Sequence, residues 1–224
     1  MANIKIDKII RSKRKTIALQ ITSNATLIVR APELATLDII YRVVAKKEQW
    51  IRKKQEYVKH YYRKSSAKEF VNGEGFLFLG HSYKLHIVED QELPLHFDNA
   101  FYFSKKYLPV AKQIFIEWYK YQAKEKISER VHRYALKAGL KYRQINITDA
   151  RKRWGSCSHK GNLSFSWRLV MAPLQVIDYV VVHELAHLEE RNHSKQFWNK
   201  VKVMLPRYQR YKQWFKDNEH ALRI

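Results

Sequence analysis

The chain has 224 residues and a formal charge of +22, from 43 Lys and Arg against 21 Asp and Glu. Its length suffices for one large domain or two intimate lobes, and its single cysteine, Cys157, excludes an internal disulfide framework. No apolar run reaches the length of a membrane span or of a secretory leader, so a cytoplasmic protein with no membrane partner is expected.

Residues 4–10 and 16–30 alternate apolar and polar side chains, which predicts strands, with a turn at Ser23-Asn24. The basic stretch 11–15 connects them, and Pro32 ends the strand region. From Leu37 onward, the spacing of Ile39, Ile40, Val43, Val44, Trp50 and Ile51 predicts one long helix. Its other side mixes Lys46, Lys47, Arg52, Lys53, Lys54 and Lys59 with Trp50, Tyr57, Tyr61 and Tyr62. Such a face suits non-specific nucleic acid, and it equally suits plain solvation.

Residues 70–103 return to strands, in FLFLG, YKLHIV and LPLHF, with Gly73, Gly75 and Gly80 as punctuation and a tight turn at Asp98-Asn99. His81, His86 and His96 share no metal-ligand spacing and read as structural. Residues 107–140 form a long helical pattern through Ile114, Trp118, Ile127, Val131 and Leu136, stopped by Gly139. This change of character sets an expected boundary between a β-rich amino-terminal lobe with a basic helix, residues 1–104, and a second lobe, residues 105–224. QINITD (144–149) and NLSFSW (162–167) are short strand patterns, with a turn at His159-Lys160-Gly161, and Pro173 suits the first turn of the next helix.

That helix runs into VVVHELAHLEERNHSKQFW, residues 180–198. His183 and His187 stand four residues apart, so on a helix their imidazoles share a face, and Glu184 brings a carboxylate to the same region. Two imidazoles and an adjacent carboxylate are what a catalytic zinc requires: ligands for the ion and a base for its water. His193 follows after the polar stretch Glu189, Glu190, Arg191 and Asn192, and a third imidazole returning from a turn completes three ligands with one open position. The helix is apolar on most sides, so its polar groups need partners, and a metal supplies them. The competing explanation is a core helix whose histidines bond to backbone carbonyls. Beyond it, Asn192 or Ser194 caps a helix that Pro206 ends, and an aromatic helix follows from Tyr208.

Arg153-Trp154-Gly155-Ser156-Cys157, Gly161-Asn162-Leu163-Ser164-Phe165, the His183–His187 motif and Asn192-His193-Ser194 with Phe197-Trp198 together resemble the YgjP-like metallopeptidase family. The resemblance covers the whole chain, including the amino-terminal strands and the FLG segment at Leu79. More distantly the chain is similar to SprT-like and WLM metallopeptidases. The resemblance implies an α+β fold, with a zincin-like catalytic lobe at 105–224 behind the β-rich lobe, and a zinc ion held by His183, His187 and His193. The metzincin group has a glycine three residues before its last histidine, where this chain has Glu190, so His193 must arrive by another loop geometry. Glu219 as a distant third ligand is the competing arrangement.

The expected chemistry is hydrolysis of a polypeptide, with Glu184 as general base. Arg153, Tyr208, Arg210 and Tyr211 are the candidates for stabilising the oxyanion. Asn162, Leu163, Ser164 and Phe165 are the candidate edge strand for an extended substrate. Two alternatives carry less: a metal-dependent hydrolase of nucleoside triphosphates, and a nucleic-acid-binding module with a structural zinc that Cys157 would help to close.

Overall fold

The computed structural model describes residues 4–22, 24–62 and 68–224. Ser23 of the expected turn, and the side chains of Tyr57, Lys59, Tyr61 and Tyr62, lie outside what is described. The chain divides into two compact units, Met1–Ser66 and Ala67–Ile224.

In the first unit, strand β3 (Leu27–Pro32) lies between β1 (Lys8–Ser12), to which it is parallel, and β2 (Ala18–Ile21), to which it is antiparallel. Alternate residues of a strand face one side, and Leu27, Val29 and Ala31 of β3 are all buried. They pack with Ile40 and Val44 of α1 (Leu37–Lys46) and Ile51 of α2 (Glu48–Tyr62). The single helix expected over this stretch is thus two. Lys47 breaks it by leaving the helical region at φ −110° and ψ 14°, with its N–H turned onto Val44 O at 3.0 Å.

The second unit begins with a four-stranded sheet made of β4 (Gly75–Phe78), β5 (His81–Val88), β6 (Leu95–Phe97) and β7 (Phe101–Ser104), in the order β4-β5-β7-β6. It packs on α3 (Ala111–Ala138), where Phe115 stacks on Phe76 at 4.4 Å between ring centroids and Trp118 sets its edge against Phe78 at 5.0 Å. The boundary expected after residue 104 therefore falls inside this unit, which starts at Ala67. The aromatic face of the sheet finds its complement on α3, so the change from strands to helix near residue 104 is a change of element within one core. Gly139 ends α3 in the left-handed conformation, φ 66°, that glycine adopts without steric cost.

A second sheet follows: β8 (Gln144–Thr148), β9 (Gly155–Cys157) and β10 (Asn162–Ser166). Its order is β8-β10-β9, with β10 parallel to β8 and antiparallel to β9. Helices α4 (Leu174–Ala186), α5 (Lys195–Met204) and α6 (Tyr208–Asn218) complete the unit. Nearly every residue of α4 from Val176 to Ala186 is buried. Its one buried aspartate, Asp178, is met by Arg130 of α3 through Nε at 2.5 Å and Nη2 at 2.8 Å, and by the Tyr134 hydroxyl at 3.2 Å. A buried carboxylate without such partners is costly, so this triad fixes where α4 sits on α3. Among the described residues no helix is long and apolar enough to cross a membrane.

Candidate metal centre

His183 and Glu184 lie in the last turn of α4, and His187 caps it. The chain then tightens: Leu188 N–H bonds to Leu185 O at 3.0 Å and Glu190 N–H to Ala186 O at 2.9 Å. No residue from 188 to 194 has a positive φ, which explains why Glu190 can stand where metzincins need a glycine. Ser194 caps α5, its hydroxyl accepting from Phe197 N–H at 3.2 Å, and so delivers His193 just ahead of the new helix.

The three imidazoles converge. Their ring centroids lie 4.8–4.9 Å apart pairwise, and one nitrogen from each falls within 4.8 Å of the others. Phe197 is the common floor, with its ring 4.5 Å from that of His187, 4.8 Å from His193 and 4.9 Å from His183. Trp198 stacks on His193 at 5.8 Å and 24°.

This donor set suits a metal ion. His187 Nδ1 lies 2.9 Å from Glu190 O; a carbonyl can only accept, so Nδ1 carries the proton and Nε2 keeps its lone pair. His183 Nε2 and His193 Nε2 face each other at 2.9 Å, a contact that needs a shared proton or a cation. Burial, followed by the charges of His187, His193 and Lys212, holds the His183 pKa down at about 3; burial, then His187 and Lys212, lowers that of His193. Both therefore stay neutral, as zinc ligands must. His183 Nδ1, on the far side of the ring, is buried with no hydrogen-bond partner among the described residues.

Glu184 is 5% exposed, and burial pushes its pKa up to about 8 against the pull of the Arg153 charge. A cation held beside it would bring that value down and leave the carboxylate free to accept a proton at neutral pH. The carboxylate lies directly on β9: a Cβ added at Gly155 would stand 2.5 Å from Glu184 Oε1 and 2.8 Å from its Cδ. Gly155→Ala is therefore expected to displace this carboxylate while sparing the imidazoles. Misplacement by about an ångström costs on the order of 100-fold in rate, so the variant should keep its metal content and lose most of its activity. Wild-type turnover in Gly155→Ala would show that the carboxylate's position is immaterial.

Next to the imidazoles opens a cavity of about 300 Å³, shared by His183, Glu184, Tyr179, Lys212, Phe215 and Glu219 among others. Glu219, the competing third ligand, stands here and not among the imidazoles, accepting from Trp154 Nε1 at 3.4 Å. Of the expected oxyanion groups, Arg153 is exposed and reaches Glu184 through its charge. Tyr208 stacks between Trp198 at 5.4 Å and Tyr179 at 6.5 Å. Arg210 is exposed, and Tyr211 packs against the main core of the unit.

Two further residues at the site, Lys212 and Tyr179, stand outside the set expected from the sequence. Lys212 Nζ lies 4.0 Å over the Trp198 ring, in the cavity wall. The Tyr179 ring is 6.0 Å from that of His183, and burial, then Tyr208 and Glu184, pushes its pKa up to about 12, so its hydroxyl keeps its proton. The signal was present in helical spacing. Tyr208, Lys212 and Phe215 follow one stripe of α6 that ends at its cap, Glu219, whereas Arg210 leaves it.

The expected edge strand needs correction. Asn162, Leu163, Ser164 and Phe165 belong to β10, the middle strand, with β8 bonded on one side and β9 on the other. The edge beside the site is β9. Cys157 at its end is not among the converging groups, and burial pushes its thiol pKa up, away from the thiolate that a zinc ligand requires.

Imidazoles gathered on one point, with a buried carboxylate beside them and an open cavity next to both, are the features of a metal-dependent hydrolase. The chain belongs to the YgjP-like family, whose metallopeptidase-domain model matches residues 15–218. Among solved structures it is similar to the metallopeptidase zymogen of Pyrococcus abyssi abylysin, at 19% identity and a TM-score of 0.38, over 42% of this chain and 95% of that one. A search of curated proteins gave no match.

Proposed function

We propose that this metallopeptidase-family protein is a zinc-dependent peptidase, with His183, His187 and His193 as ligands and Glu184 as general base. The observation that carries the proposal is the convergence of three ring nitrogens within 4.8 Å, next to a buried carboxylate lying on the edge strand β9. His183, His187 and His193 would hold the zinc, which would lower the pKa of a bound water toward ~7 and polarise a carbonyl. Glu184 takes the proton of the attacking water and returns it to the leaving amine. The free side of β9 pairs with an extended polypeptide, which brings the scissile carbonyl alongside Glu184. Lys212, steadied on Trp198, and the protonated hydroxyl of Tyr179 supply positive character for the developing oxyanion.

The nucleoside-triphosphate alternative, which would use the same metal site, and the nucleic-acid partner, read from the basic stretch around residues 46–59, draw on the charge of +22 and form no part of the proposal. The experiment offers the zinc-loaded protein unstructured polypeptides and nucleoside triphosphates side by side. Cleavage of polypeptide is expected. Release of phosphate or pyrophosphate with every polypeptide intact would contradict it.

A further inference from the structure

Trp154, Tyr179, Val180 and Phe215 stand in the wall of the 300 Å³ cavity beside the catalytic carboxylate. Trp154 meets Phe215 edge-on at 4.9 Å and donates through Nε1 to Glu219 at 3.4 Å, so both aromatic walls are held in place. Phe215 and Val180 are themselves buried, 7% and 6% exposed, which makes the floor apolar and firm. The cavity opens between His183 and Glu184 on one side and α6 on the other, and Gly155 of β9 is part of its wall.

We infer that this cavity is the side-chain pocket through which the enzyme selects its substrate, and that it takes a large apolar residue, aromatic by preference, next to the scissile bond. The inference rests on the peptidase proposal above and names its substrate class. A peptide paired with β9 turns alternate side chains to opposite faces. The cavity starts at Gly155, so a residue of that peptide near Glu184 has its side chain over it. The rings of Trp154, Phe215 and Tyr179 in the wall favour another ring, which gains apolar contact and edge or stacked geometry together. Lys212, Lys216 and Glu219 supply the charged part of the same lining.

Zinc-directed amino-acid hydroxamates test this without turnover, because the hydroxamate chelates the metal and the side chain alone varies. Calorimetry on the zinc-loaded protein should show phenylalanine hydroxamate binding at least ~10-fold tighter than alanine hydroxamate, as expected when an apolar pocket is filled. In Trp154→Leu and Phe215→Leu, zinc content serves as the control for folding, and the ratio should fall to within about 3-fold. Equal affinities in the wild type, or a ratio that survives in both variants, overturns the pocket. Digestion of a mixed peptide library separates the two proposals. Cleavage without a preference for apolar residues removes the pocket and leaves the peptidase, whereas a phenylalanine preference in binding with no peptide cleaved removes the peptidase and leaves the pocket. Zinc-loaded protein that binds neither hydroxamate removes both.

Discussion

Glu184→Gln is expected to keep its zinc and its fold while slowing peptide hydrolysis by roughly 10²–10⁴-fold, the usual worth of a positioned general base. The substitution changes little in shape. Glu184 is buried on β9 against Gly155, and an amide occupies the same space. What it removes is the capacity to accept a proton. The amide is also neutral, and burial already disfavours the charged form of the native side chain. Stability should therefore hold or rise slightly while the rate collapses. Metal content, thermal melting and turnover, measured on one preparation, separate these effects. Native turnover in Glu184→Gln would exclude Glu184 as the base.

Much of the site was legible because it is local. The spacing of His183 and His187 fixes a shared helix face, and Asn192-His193-Ser194 announces a turn with a cap, so the convergence of three imidazoles needed little tertiary information. Glu190 marked the loop as different from the metzincin turn. The structure supplies the reason: the loop closes through His187 Nδ1 and Glu190 O at 2.9 Å, without a left-handed residue.

The features that escaped depend on pairing between distant residues. Asn162 to Phe165 alternate just as an edge strand would, but β8 from upstream adds itself to the free side of β10 and passes the edge to β9. Only three residues long and starting with glycine, β9 has too little pattern to be recognised alone. The lobe boundary failed for the same kind of reason. Residues 76–103 look like the strands before them, and it is packing such as that of Phe76 on Phe115, Phe78 on Trp118 and Phe101 on Trp118 that assigns them to the second unit. Lys212 was a different miss, since its stripe on α6 was readable from Tyr208 onward.

The loss of zinc on removing His193 is the second large effect. Substitutions around a metal site that leave its ligands alone cost about 10–100-fold in affinity, and deletion of one ligand of three should exceed that. Apart from ring contacts with Phe197 and Trp198 and its approach to His183, His193 adds little to the fold. It is exposed, ahead of the α5 cap, and the core beneath it is made by Val182, Ala186, Phe197 and Val201. Glu219→Ala is the matching control, because Glu219 sits in the cavity with Trp154.

Elemental analysis of the purified wild-type protein, His193→Ala and Glu219→Ala after equilibration against a zinc buffer is the most direct test of the metal centre. The expected result is one zinc per chain in the wild type and in Glu219→Ala, with little or none in His193→Ala. Full zinc in His193→Ala together with loss in Glu219→Ala would contradict the three-imidazole site.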